Sequence, residues 1–146
     1  AIDFGSAQYV SIGAMEPGEI YFTGVSITRY AGYVGNKLQL NPAIRWRRNS
    51  INRRYYLLDN PQAFCVVGNE LRFYEDINLN ATDVNLLGSY SIIARNISVV
   101  NPLNPKPFDL EAGSENRNSQ VIIELVFSSG GESVTFNQGV FIRNVP

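Results

Sequence analysis

The sequence predicts a mainly β fold built from antiparallel sheets with long loops. Three observations support this. Tyr, Phe, Val and Ile are abundant, helix-start signals are scarce, and two stretches have the run, turn and return of a β-hairpin. The chain has 146 residues, of which 45% are hydrophobic and 17% charged, which is typical of one ordered domain. We therefore expect residues 1–146 to form a single soluble globular domain.

The first half of the chain contains several short strand patterns. Apolar and aromatic runs between turn-forming residues predict strands over residues 19–23, 26–30, 37–40 and 54–58. The last of these ends at Asp59-Asn60-Pro61, because a proline cannot donate to a sheet ladder.

Two hairpins follow. Residues 63–67 and 70–74 flank Gly68-Asn69, and both turn residues tolerate the positive φ that a tight hairpin turn needs. Residues 120–128 place Val121, Ile123, Leu125 and Phe127 on one face of a strand. The chain then turns at Ser129-Gly130-Gly131 and returns over residues 133–142. A further strand is predicted over residues 90–100, with a bend near Asn96.

The connecting segments are predicted from their turn and breaker residues. Thr82 is a candidate cap for one short helical turn containing Leu86 and Leu87. Residues 101–108 hold three prolines, so we expect a surface crossover there rather than a strand. A polar loop is expected over residues 111–119.

The sequence offers little catalytic chemistry. It contains no histidine, which removes the commonest general base and the commonest metal ligand, and no nucleophile or nucleotide motif is present. We predict that the chain is not an enzyme, with no catalytic residues and no cofactor. Cys65 is the sole cysteine, so no internal disulfide forms, and its apolar neighbours predict a packed, inert thiol.

One stretch has a partial calcium-loop pattern. Its oxygen-bearing side chains alternate, but Ala81 stands where the turn of such a loop needs Gly and Leu87 where it needs a bidentate Glu. The stretch consists of Asp76, Asn78, Asn80 and Asp83. A polar turn closed by Asx hydrogen bonds is therefore favoured, and no metal site is predicted.

Basic residues are concentrated in one region. Residues 20–58 carry seven basic side chains and no acid, and five of these are Arg within ten residues. The candidate partner-contact patch within this region is Arg45, Trp46, Arg47, Arg48, Arg53 and Arg54. Such a patch suits protein contacts, and the alternatives are a solvated face or charges that pair within the chain. Nucleic acid is an unfavoured partner because the net charge is −1.

Three blocks in the second part of the chain resemble a known family. They read NRRYYLLDNPQAFCVVGNELRFY over residues 52–74, LGSYSIIARNISVV over 87–100, and VIIELVFSSGGESVTFNQGVFIRNVP over 121–146. Their order and spacing resemble minor pilins of the MshO type, from the mannose-sensitive haemagglutinin (MSHA) pilus. They are also similar to the J-type minor pseudopilins of type II secretion.

The resemblance implies a binding role. It implies a subunit of a type IV pilus or secretion pseudopilus, anchored in the inner membrane by an N-terminal helix before assembly, with its β head in the periplasm and later on the cell-surface pilus. Its partners would be other pilin or pseudopilin subunits. The chain departs from the family in lacking that helix, so we expect an apolar surface on the sheet that the helix would cover. It also lacks the family's second Cys, which usually lies close to the position of Val100.

A second interpretation is a carbohydrate-binding or adhesive β-sandwich that acts alone. Trp46 and the eight Tyr are of the type that forms sugar-stacking platforms, although aromatic residues more often fill a core. A glycan or surface ligand is therefore a possible partner under either interpretation.

Overall fold

The fold is mainly β and its sheets are antiparallel, which confirms the predicted fold class. The computed structural model describes residues 4–15, 17–21, 25–50, 53–98, 106–111 and 119–141. These residues form two compact units. Unit 1 comprises those up to residue 63 together with 75–85, and unit 2 comprises 64–74 and those from 86 onwards. No helix in this described part is long and apolar enough to cross a bilayer.

Unit 1 is a four-stranded sheet with one short 3-10 helix. Its elements are β1 (Tyr9–Ser11), the 3-10 helix η1 (Pro17–Glu19), β2 (Ile27–Val34), β3 (Lys37–Asn41) and β4 (Tyr56–Leu58). The strand order is β3-β2-β1-β4, and β1 pairs antiparallel with both of its neighbours. The core cluster of this unit consists of Tyr9, Ile27 and Leu79, with Ile20 and Leu58 packed against it.

Unit 2 contains two sheets. Its elements are β5 (Ala63–Val67), β6 (Glu70–Tyr74), β7 (Ser91–Arg95), β8 (Ile97–Ser98), β9 (Phe108–Glu111), β10 (Gln120–Ser129) and β11 (Glu132–Phe141). The first residue of β5, Ala63, is assigned to unit 1. One sheet has the order β5-β6-β7, and Phe64 stacks on Phe73 within it. In the other, β10 pairs with β11 along one edge and with β8 and β9 along the opposite edge.

The predicted hairpins are present. β5 and β6 occupy the predicted residues and flank Gly68-Asn69. β10 and β11 form an unbroken antiparallel ladder that closes at Ser129 and Glu132, while Ile142 lies outside the described residues. The strands predicted over residues 26–30 and 37–40 appear as β2 and β3, and the one over 54–58 is the shorter β4.

The bend near Asn96 is also present. Asn96 has φ of 60°, in the left-handed region that Asn tolerates better than most residues. This residue lies between the end of β7 and the start of β8, which belongs to the other sheet. One predicted strand is thereby divided between two sheets.

Three local predictions were wrong. The strand predicted over residues 19–23 is absent at residues 19–21, because Glu19 is the last residue of η1 and its carboxylate accepts a hydrogen bond from the Met15 N–H. Residues 22 and 23 lie outside the described part. Thr82 caps no helix, and Leu86 and Leu87 lie in a turn. Phe108 was predicted to lie in a crossover but is the first residue of β9. The preceding Pro107 lies just outside the strand, so its missing N–H removes no hydrogen bond from the sheet. Residues 101–105 of that predicted crossover and 112–118 of the polar loop lie outside the described residues.

The Gly130-Gly131 turn gives a first testable prediction. Both glycines have positive φ, 61° and 86°, as the two central residues of a type I′ turn require. Gly131→Val is expected to destabilise the chain by about 1–2 kcal/mol, because a β-branched residue is strained in the left-handed region. Gly130→Asn is the matched control and should be close to neutral. Urea unfolding of both variants measures this, and equal losses for the two would contradict the turn assignment.

Candidate protein-contact surface

The predicted arginine patch divides into two groups. Arg47 and Arg48 pair within the chain, since Nη1 of each donates to Glu19 Oε1, at 3.1 and 2.5 Å. Arg45, Arg53 and Arg54 are exposed, and their side chains form no ion pair with the described residues. Trp46 is half-buried. The structure therefore supports pairing within the chain for two of the arginines and leaves three available for an external partner.

Glu19 is the centre of the internal pair. Its side chain is only 5% exposed, and the Met15 N–H donates to Oε2 at 2.8 Å. The pKa of Glu19 lies below its ordinary value, chiefly because the Arg48 side chain donates a hydrogen bond to the carboxylate and secondly because the Met15 N–H does so. Burial acts in the opposite direction and raises the pKa, but its effect is smaller. A buried, ionised carboxylate thus neutralises part of the basic region.

Backbone packing holds Arg48 in place. Gly13 has φ of +65°, and a Cβ at this position would lie 3.1 Å from the Arg48 carbonyl oxygen. The segment carrying Arg48 therefore lies directly against Gly13, close in sequence to Met15 and Glu19. Sequence reasoning missed Glu19 as the internal partner of Arg47 and Arg48. The available signal was its position as the last acid before the acid-free run of residues 20–58.

A charge-reversal prediction follows for the exposed arginines. Arg45→Glu combined with Arg54→Glu is expected to leave the thermal midpoint unchanged, because neither side chain has an ion pair with the described residues, and to weaken binding of a protein that contacts the patch. Lys37→Glu, an exposed charge on β3, is the control. Affinity capture of binding proteins and a DNA gel shift measure the two kinds of binding. Unchanged binding in both variants would mean that the patch is ordinary solvated surface.

The loop over residues 76–83 closes on itself. The Asn80 N–H donates to Asn78 Oδ1 at 2.9 Å, which is an Asx turn, and the Asn60 side chain donates to Asp76 Oδ1 at 3.1 Å. Thr82 contacts Asp83 at 3.5 Å. Within the described residues, no group of three or more His, Cys, Asp or Glu converges as metal ligands would. These hydrogen bonds agree with the polar-turn interpretation of the sequence.

Two other features of unit 2 bear on chemistry. Cys65 is half-buried, and burial raises the pKa of its thiol, so the thiol is protonated at neutral pH, as an inert cysteine should be.

The Arg72 guanidinium lies 4.1 Å from the centre of the Tyr90 ring and forms a 2.9 Å ion pair with Glu70. The Arg72 side chain therefore has its partners within unit 2.

The β8-β9-β10-β11 sheet carries an apolar face. Directly opposed residues in an antiparallel pair share a face, and Leu125 lies opposite Phe136 while Val121 lies opposite both Val140 and Leu110. The apolar members of this face are Ile97, Phe108, Leu110, Val121, Ile123, Leu125, Phe127, Val134, Phe136 and Val140. On β11 the polar Gln138, opposite Ile123, lies between Phe136 and Val140 on the same face.

Exposure on the apolar face rises away from its centre. Leu125 is 3% exposed, whereas on β11 Val134 is 67% and Phe136 44% exposed, and on β9 Leu110 is 63% exposed. Contiguous exposed apolar side chains on one sheet face mark protein or membrane contacts. This agrees with the expectation of an apolar surface on one sheet.

Comparisons of the chain with known protein families, with curated proteins and with solved structures found no match.

Proposed function

We propose that the chain is the β head of a minor pilin-like subunit, of a type IV pilus of the MSHA type or a related secretion pseudopilus. The observation that carries the proposal is the apolar face, whose outer members Leu110, Val134, Phe136 and Val140 are exposed. A monomer that functioned alone would gain little from apolar side chains held in water at these positions.

The proposed role is structural and depends on protein contacts. An apolar N-terminal helix, encoded ahead of this chain, would pack on the apolar face. The exposed arginines Arg45, Arg53 and Arg54 would steer contacts with neighbouring subunits, because long-range charge sets the register of an encounter. The subunit would be anchored in the inner membrane before assembly, with its head in the periplasm, and would then enter the surface filament. No turnover is proposed, since the chain has no histidine and no catalytic motif.

Fractionation of cells tests this proposal. A tagged gene that includes its upstream coding sequence is expected to place the protein in the inner membrane and in sheared surface filaments. Phe136→Asp with Val140→Asp should remove it from filaments, because charges on the apolar face would disfavour packing, and circular dichroism should still report a folded head. Thr135→Asp, on the opposite face of the same strand, is the control. Recovery of the protein only as a free secreted species would contradict the proposal.

A second candidate function is glycan binding by unit 1. The Phe4 ring stacks on that of Tyr30 with ring centres 4.8 Å apart, and its centre lies 5.3 Å from that of Tyr33, a residue that is 39% exposed. Exposed, pre-ordered aromatic rings suit stacking on a sugar face. A glycan array with the wild type, Tyr33→Ala and Trp46→Ala tests this second function, and the absence of any glycan signal would contradict it. Binding lost only in Tyr33→Ala would favour the aromatic stack as the site.

A further inference from the structure

The chain contains two copies of the sequence pattern that marks an acceptor of N-linked glycans. The pattern is Asn, then any residue except Pro, then Ser or Thr. It occurs at Asn80-Ala81-Thr82 and at Asn96-Ile97-Ser98. A glycosyltransferase must reach both the Asn carboxamide and the hydroxyl group two residues later. The two copies are equivalent as sequences, so the fold decides which of them can react.

Asn80 lies in an exposed turn that is anchored to unit 1. The Ala81 N–H donates to Asn78 O at 2.9 Å and closes the turn. The neighbouring Leu79 is 9% exposed and belongs to the core cluster of unit 1. Asn80 itself is exposed, and only its backbone N–H forms a hydrogen bond with the described residues. The turn therefore holds its carboxamide in solvent at a fixed position.

A free carboxamide matters because an amide nitrogen is a weak nucleophile, with its lone pair delocalised into the carbonyl group. The transferase has to hold the carboxamide in its own site, and a carboxamide with no partner in the chain gives up nothing to enter it. Other Asn side chains of this region are engaged: Asn78 Oδ1 accepts the Asn80 N–H at 2.9 Å, and Asn60 Nδ2 donates to Asp76 Oδ1 at 3.1 Å.

The hydroxyl group that the pattern requires is also accessible. Thr82 is exposed, and its Oγ1 lies 3.5 Å from Asp83 Oδ2. This distance is well beyond the usual O–H···O separation of about 2.7–2.8 Å, so the contact does not occupy the hydroxyl. Both groups that a transferase must contact are therefore exposed in the folded chain.

The second copy of the pattern is part of the backbone pairing of unit 2. Ile97 is 3% exposed, and its N–H donates to Asn69 O at 3.0 Å, while Asn96 O accepts from the Ser128 N–H at 2.9 Å. Ser98 is paired with β10. A transferase has to enclose the residues around the acceptor Asn, so this segment would first have to leave the sheet.

We propose that Asn80 is a glycan acceptor in the folded chain and that Asn96 is not. The donor is a sugar joined to a diphosphate, which is either nucleotide-linked or lipid-linked. The Asn80 Nδ2 atom forms a bond to the anomeric carbon of the sugar and loses one proton. The bond from that carbon to the diphosphate oxygen breaks, and its electron pair leaves with the diphosphate. The inference goes beyond the proposed function and does not depend on it.

Glycosylation of the purified, folded 146-residue chain tests the proposal. One arm uses UDP-glucose with a soluble N-glycosyltransferase, and the other uses a lipid-linked oligosaccharide with a membrane oligosaccharyltransferase, so the arms distinguish the two donors. Peptide mapping by mass spectrometry is expected to find the sugar on Asn80 in at least one arm. The modified fraction of Asn96 should be at least about tenfold lower, because Asn96 reacts only after local opening of the sheet. A synthetic peptide of residues 76–86 is the activity control in each arm.

Two variants of Thr82 test the role of the hydroxyl group. Thr82→Val keeps the shape of the side chain but removes the hydroxyl, so it should abolish modification, whereas Thr82→Ser keeps the hydroxyl and should retain it. Both should fold as wild type does, because Thr82 is exposed, and circular dichroism checks this. An Asn80 left unmodified in both arms would overturn the proposal. An equal or greater modified fraction at Asn96, or undiminished modification of Thr82→Val, would also overturn it.

Discussion

Glu19→Gln is expected to lower the thermal midpoint by roughly 5 °C or more, a larger loss than any exposed carboxylate should give. The replacement removes the negative charge between Arg47 and Arg48, whose Nη1 atoms both donate to Glu19 Oε1. It leaves two guanidinium groups adjacent with no anion between them. Only the carboxylate is buried: the Arg47 and Arg48 side chains are 58% and 34% exposed, so the loss comes from the ion pairs of Glu19, and water screens part of the repulsion between the two arginines.

The effect of Glu19 should depend on pH. Its folded-state pKa lies below the ordinary carboxyl value of about 4.3. A lowered folded-state pKa contributes stability that is fully present above the ordinary value and is lost as pH falls through the lowered value. Thermal midpoints measured from pH 7 down to pH 3 should therefore converge for wild type and Glu19→Gln at the acid end.

Glu75→Gln is the matched control for this series. Glu75 is an exposed carboxylate of unit 1 that forms no ion pair with the described residues, so its replacement should change the midpoint little at any pH. A constant difference between wild type and Glu19→Gln across the whole pH range would contradict an ionised Glu19 at the centre of the arginine pair.

Leu125→Ala is expected to destabilise the chain by about 2–5 kcal/mol, as for other buried leucines. Leu125 is 3% exposed and lies mid-strand in β10, opposite Phe136. The truncation removes buried methyl groups and leaves a cavity beside β10, a central strand that pairs with other strands on both of its edges. Urea unfolding at neutral pH measures the loss.

Leu110→Ala provides a matched comparison. Leu110 is the same residue type on the same apolar face, but it is 63% exposed, so its truncation should change the free energy of unfolding by no more than about 0.5 kcal/mol. If it nevertheless reduces filament incorporation, then Leu110 contributes to contact rather than to stability. Equal destabilisation by the two variants would mean that the face is uniformly packed within the chain and unavailable to a partner.

Strands with a local signal could be predicted from the sequence. The β10–β11 hairpin was evident because Val121, Ile123, Leu125 and Phe127 occupy every second position before a Gly-Gly turn. The bend at Asn96 was evident because Asn tolerates positive φ. β1 has no such signal: it is three residues long, all of them buried between two neighbouring strands, so its side chains do not alternate.

Contacts between distant residues had no local signal. Arg47 and Arg48 read as part of an exposed basic run, and only the fold brings them to Glu19, which lies 28 and 29 residues earlier. Likewise, Pro107 led to the prediction of a crossover where β9 begins. The sequence pattern of apolar residues does not show whether a proline lies just before a strand or interrupts it. The candidate surface was therefore predictable as a region, and its division into paired and available arginines was not.

The nucleotide sequence ahead of the codon for Ala1 is the most direct test of the pilin-like role. The proposal predicts a short basic leader, a Gly cleavage site, a Glu shortly after it and about 20 apolar residues in a helix able to cover the apolar face. An ordinary cleavable signal peptide, or a folded domain with no such helix, would contradict the proposal and favour a binding module that acts alone.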